Sequence, residues 1–244
     1  MAAPTLPERQ LSVSPPQSGP AATPSAAAQQ HRSRNCKVAG VLLSLAGIVI
    51  LMGFITAEAL YPGVYTTHTN TVSHLGASEP PNSVVLQSSA AIFDLTMLVT
   101  GVMIVAGAWF VYRALRRKAV LIPTVLLGTG TLGVGAFPLT HPTPHTLFAF
   151  TAFLAGGIVI VLSFRLTTAP FRYLWTTLGT IALGATVLAL DAFRGWAPMA
   201  ALGEGGLERW VVYPIVLWWL VAFGSYLLAA ANLTDTRNPA GTGG

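Results

Sequence analysis

Residues 38–60 read VAGVLLSLAGIVILMGFITAEAL, twenty-three positions with no charge before Glu58. As a helix rising about 1.5 Å per residue, this stretch is ~35 Å long and crosses a hydrocarbon core of about 30 Å. It does not alternate polar with apolar side chains, as a lipid-facing barrel strand of roughly ten residues would. A helix satisfies its backbone N–H and C=O groups internally, which a lipid surround demands. Residues 38–60 therefore read as a transmembrane helix.

Five further apolar runs follow, at approximately 90–112, 119–137, 146–164, 173–190 and 211–231. The pattern predicts an all-α, polytopic transmembrane bundle of six spans over residues 38–231. Composition agrees. Hydrophobic residues make up 53% of the chain and charged residues 9%, against about 25% charged in a soluble domain. Residues 1–37 hold six Pro and seven Ala with few large apolar side chains, too little to offset the entropy of ordering. They read as a disordered tail. No apolar signal-peptide core lies within them, so the first span is expected to act as an uncleaved signal. Residues 232–244 read as a second short tail.

The net charge of +5 would raise nucleic acid as a partner in a soluble protein. Here the cations sit at span ends, where they set topology, and no nucleic-acid partner is expected. Arg9, Arg32, Arg34, Lys37, Arg113, Arg116, Arg117, Lys118, Arg165, Arg172 and Arg237 fall on one side; only Arg194 and Arg209 fall on the other. The positive-inside rule then places both termini in the cytoplasm. The expected location is the cytoplasmic membrane of a bacterial cell, multi-pass, with the bilayer as principal partner. A second copy of the chain or another membrane protein is the other partner class considered. Cys36 is the single cysteine, so neither an internal disulfide nor a cysteine metal site forms.

Gly128, Gly130 and Gly133 spell G-x-G-x-x-G, but inside an apolar span and without the strand and downstream acid that a dinucleotide fold needs. They read as close helix packing, as do Ala152 and Gly156. The histidines are more informative. His68, His74, His141 and His145 all fall on the predicted outer side, with Glu58, Glu79, Asp94 and Asp191 at the same level. An ionisable residue within a span is a functional candidate by default, and Asp94 leads this group. A second helix starting just after Pro81 puts Asp94 about three turns in; one starting near Ala90 makes it interfacial.

Imidazole and carboxylate suit zinc. His74, His141, His145 and Asp94 are the candidate ligands, and no other cofactor is indicated. Pro142 and Pro144 predict extended chain between His141 and His145. Thr143 then caps the fourth span and Pro144 is its first helical residue, leaving only His145 on the helix. Asp94, His141 and His145 are also the candidates for catalytic chemistry, with Glu58 and Asp191 as further polar groups on the outer face.

The stretch Thr71-Val-Ser-His-Leu-Gly-Ala77, with Pro81, Phe93-Asp94 and Gly101, precedes a second stretch, Gly133-Val-Gly-Ala-Phe-Pro138, with His141, His145, Ala149 and Phe153. Together with six spans and a basic second connection, they resemble the bacterial membrane family catalogued as domain of unknown function 998, over roughly residues 38–231. The resemblance implies the fold and the location but no chemistry. It implies an acid or amide at Asp94, and an acidic residue where this chain has His74. The sequence thus reads as a non-catalytic assembly, sensing or envelope-homeostasis component. A small transporter or permease is one alternative; the other is an outer-leaflet hydrolase or lipid-modifying enzyme using the His and Asp residues.

Replacing Asp94 by Leu removes the costliest side chain of the second span. The variant is expected to insert at least as completely as the parent, measured as the fraction retained in membranes after an alkaline carbonate wash.

Overall fold

The computed structural model describes residues 26–189 and 197–236. Within them the chain is helical: α1 Ala26–Ala59, α2 Ser89–Leu115, α3 Lys118–Ala136, α4 Pro142–Leu162, α5 Phe171–Leu188 and α6 Ala197–Tyr213. A π-helical stretch, Pro214–Val221, joins α6 to α7, Ala222–Thr236. Among the described residues no strand forms beyond a single bridge between Ala77 and Val85.

Sequential helices are neighbours. α1 packs on α2, α2 on α3, α3 on α4, α4 on α5 and α5 on α6, and the ring closes where the π-helical stretch and α7 return against α1. The faces show what surrounds this ring. On α1, Leu43, Ala46, Ile50 and Phe54 are buried, while Val41, Leu45, Ile48, Met52 and Ile55 point outward, Met52 with 54% of its surface exposed. A helix in water carries charged and polar residues on its outer face; one that is apolar all round spans lipid or sits in a core. Five helices are long and apolar enough to cross a membrane: Ala27–Ala59, Ser89–Leu115, Lys118–Ala136, Pro142–Arg165 and Ala200–Leu233. The remaining expected run, 173–190, falls on the 18-residue α5, which is not among the five. Several buried threonines of the bundle bond their own helix backbone. The hydroxyls of Thr100, Thr124, Thr131 and Thr186 each donate to the carbonyl four residues earlier, at 2.6–2.9 Å, so none is left orphaned away from water.

The glycine triplet of α3 does what close packing requires. A β-carbon on Gly128 would stand 3.0 Å from the Gly101 carbonyl of α2, and one on Gly130 would stand 2.7 Å from the Ala152 nitrogen of α4. α3 is thus wedged between two backbones at distances that only glycine permits.

Several boundaries differ from the sequence reading: α6 begins at Ala197, ahead of the expected start at 211, and α7 continues to Thr236, into the expected second tail. α1 begins at Ala26, within the stretch read as tail, because the Ala- and Gln-rich residues ahead of Val38 extend a helix already nucleated by the span. α4 begins at Pro142, not Pro144, with His141 as its N-cap residue. Both prolines fit the first turn, where the missing N–H has no intrahelical partner to lose. The His145 N–H accordingly bonds the His141 carbonyl at 3.1 Å. α2 begins at Ser89, which settles the two placements of Asp94: it lies in the second turn, near the helix end. Residues 1–25 of the expected tail, with Arg9, and also Asp191, Arg194 and Arg237, lie outside the described residues.

Gly130→Leu should force α3 and α4 apart and destabilise by about 1–3 kcal/mol or more. Gly184→Ala on α5 is its control, since an added β-carbon there meets nothing within 4 Å and Ala favours the helix. Thermal unfolding in detergent should show a lower midpoint for the first variant and an equal or higher one for the second.

Candidate functional site

The connection from α1 to α2, residues 60–88, is the longest described stretch without α-helix, and three side chains from the helices hold it down. Its centre is a short 3-10 turn, Val72–Leu75. Arg209 of α6 donates through Nη1 to the carbonyls of Thr67 (3.1 Å) and Asn70 (3.0 Å), and through Nη2 to the Tyr65 hydroxyl (2.9 Å). Tyr65 in turn donates to the Thr71 carbonyl at 3.0 Å. Burial pushes the Tyr65 phenol up to about 12, with Arg209 pulling the other way, so the phenol stays protonated. Gly205 allows the approach: its N–H donates to the His68 carbonyl at 3.0 Å, and a β-carbon there would run into the Asn70 carbonyl.

Glu208, next to Arg209, reaches deeper. Its Oε2 accepts the Val72 N–H, beside Ser73. From the opposite wall comes His145 of α4, with only 3% of its surface exposed. Its Nε2 lies 3.0 Å from Ser73 Oγ, and its Nδ1 lies 2.7 Å from the Phe137 carbonyl oxygen. A carbonyl only accepts, so Nδ1 carries hydrogen. In the neutral ring Nε2 is then the bare acceptor, facing a hydroxyl donor. The Ser73 hydroxyl is therefore paired with an imidazole, and the Glu208 carboxylate lines the same cavity.

Beneath this polar cap lies a cavity of about 70 Å³ inside the ring. Its walls are apolar, including Phe54, Phe93, Met97, Leu127, Val212 and Ile215; Ser73, Glu208 and Thr131 are its polar lining residues. A water needs roughly 10–15 Å³ of such space, so the cavity holds several water-sized groups, yet it offers them few hydrogen bonds. Its chemistry favours an apolar guest with one polar end at Ser73.

The other expected residues are more scattered. His74 is buried beside Ser73, and its Nδ1 accepts the Thr71 N–H at 3.1 Å. Burial holds its pKa below the ordinary 6.5, against the pull of Glu79 and Glu204. Asp94 faces the same turn: a β-carbon on Gly76 would stand 3.3 Å from its Oδ1, a buried oxygen without a hydrogen-bond partner among the described residues. His141 is exposed at the N-cap of α4, and Glu58 is exposed in the last turn of α1. Among the described residues, no three His, Cys, Asp or Glu side chains gather as a metal-binding set. Ser73 and Glu208 were not singled out by the sequence. An acidic residue in the run leading into the last span was the available signal for Glu208. Ser73 had none beyond its place in the Ser-His-Leu-Gly stretch.

A family profile described as Protein of unknown function (DUF998) matches residues 44–225, a span that contains Ser73, His145 and Glu208. No curated protein and no solved structure matches the chain.

The state of His74 gives the turn a pH dependence. A histidine whose folded pKa lies below its unfolded value stabilises the fold above about pH 6.5 and loses that contribution as pH falls. The melting midpoint should drop between pH 7.5 and 5.5. His74→Gln, which keeps an acceptor for Thr71, should reduce that slope.

Proposed function

Since the chain belongs to the family of proteins of unknown function DUF998, we propose that it is an integral membrane component that takes up a short apolar segment of an amphiphile in its central cavity. The amphiphile's polar end is held at Ser73, Glu208 and His145. The observation that carries this reading is the pairing of an apolar chamber with a hydrogen-bonding cap at one end. Ligand sites commonly combine apolar walls with a few convergent polar groups in this way.

In the same proposal α5 is a sixth crossing, both termini lie in the cytoplasm and the capped end faces outward. The distribution of cations supports this orientation. Arg113, Arg116, Arg117, Lys118, Arg165 and Arg172 flank the helix ends opposite the cap, the pattern of cytoplasmic connections. The ligand then comes from the outer leaflet. A transport path is less well supported, because Ile104, Leu127 and Leu220 line the cavity away from the cap and offer an ion no polar partner.

A photoreactive fatty acyl probe, crosslinked to the purified protein in nanodiscs, should label cavity residues of α2, α3 or the π-helical stretch. Val212→Phe, which fills the chamber, should reduce that labelling at least several-fold. Labelling confined to the lipid-facing residues, and unchanged by Val212→Phe, contradicts the reading.

A further inference from the structure

We infer that Ser73 and His145 form a nucleophile and general-base pair that cleaves a carboxylic ester of the bound amphiphile. The inference rests on the cavity reading above and names the substrate class of that same site. An activated serine is recognised by a base within hydrogen-bonding reach that is itself oriented by a third group. Here the base is His145 Nε2, 3.0 Å from Ser73 Oγ, and the orienting group is the Phe137 carbonyl, 2.7 Å from Nδ1. That carbonyl fixes the tautomer in which Nε2 is free to take a proton. The backbone oxygen fills the place that a carboxylate holds in the familiar triads.

Location supports the pairing. His145 is buried, its ring pinned at both nitrogens, while Ser73 Oγ stands at the junction between the polar cap and the apolar chamber. A short acyl segment seated in the chamber brings its ester carbonyl to that junction. Glu208 lines the same chamber and accepts the Val72 N–H next to Ser73, which holds the turn in place.

The step balances within the site. Ser73 Oγ attacks the ester carbonyl carbon and its proton passes to His145 Nε2. The carbon–oxygen bond to the alcohol then breaks, and the leaving oxygen takes that proton from Nε2. Water attacks the acyl-Ser73 ester, giving its proton to Nε2. The carboxylic acid departs and Oγ recovers its proton.

The test treats the full-length protein in nanodiscs with an alkyl fluorophosphonate, which phosphonylates an activated serine with loss of fluoride, and maps the adduct by mass spectrometry. The expected result is an adduct on Ser73 that forms faster as pH rises through the imidazole titration. His145→Gln keeps a hydrogen-bonding side chain but supplies no base, and should slow the reaction by at least about 100-fold. Hydrolysis of a nitrophenyl acyl ester should fall in parallel. No adduct on Ser73 in the unaltered protein, or a rate unchanged by His145→Gln, overturns the inference. If the acyl photoprobe still labels the chamber in that case, the binding reading survives and only the chemistry fails; if that labelling is also absent, both fail.

Discussion

Lipid supplies no hydrogen bonds, and this constraint shapes the described helices and the connection over them. It makes helices the only economical form for the apolar runs. It turns the threonine hydroxyls back onto their own carbonyls, and it lets α3 approach α2 and α4 at glycine distances, where packing between backbones replaces the hydrophobic drive that water would supply. The outward faces of α1 and α2 stay apolar for the same reason.

The 60–88 connection is where the constraint bites hardest. Some of its backbone groups bond within the connection, and α6 provides partners for several others. Arg209 takes the Thr67 and Asn70 carbonyls, Glu208 takes the Val72 N–H, and His145 reaches Ser73. The outcome is a polar lid fixed by charged and aromatic side chains over an apolar chamber. Fixed donors and acceptors beside an apolar cavity are the elements of a binding site. They also pair a hydroxyl with an imidazole, which is the basis of the proposed ester chemistry.

Much of the helical architecture was legible because it is written in contiguous residues. The run from 38 to 60 declares its length and its medium without reference to any other part of the chain. The glycines of α3 read as packing because no strand or acid stood where a nucleotide fold needs them. His145 was legible as a residue of α4, though for the wrong start: two prolines looked like an extended spacer, whereas the first helical turn tolerates both. The site itself was illegible for a physical reason. Ser73 meets His145 across 72 residues, and Val72 meets Glu208 across 136. No periodicity encodes a contact between a loop and two helix ends. Asp94 and His74 stood out because ionisable groups near a span do so on their own; His74 is part of the turn that bears Ser73, and Asp94 lies against it.

The account stands on the capped end facing the cell exterior while the basic connection stays in the cytosol. Single cysteines introduced into a Cys36→Ser background, one at Val64, which is 87% exposed in the 60–88 connection, and one at Arg117 between α2 and α3, test this directly in intact cells with a membrane-impermeant maleimide. The account predicts labelling at position 64, with position 117 labelled only after the cells are opened. Labelling at 117 from outside, with 64 protected, would contradict it.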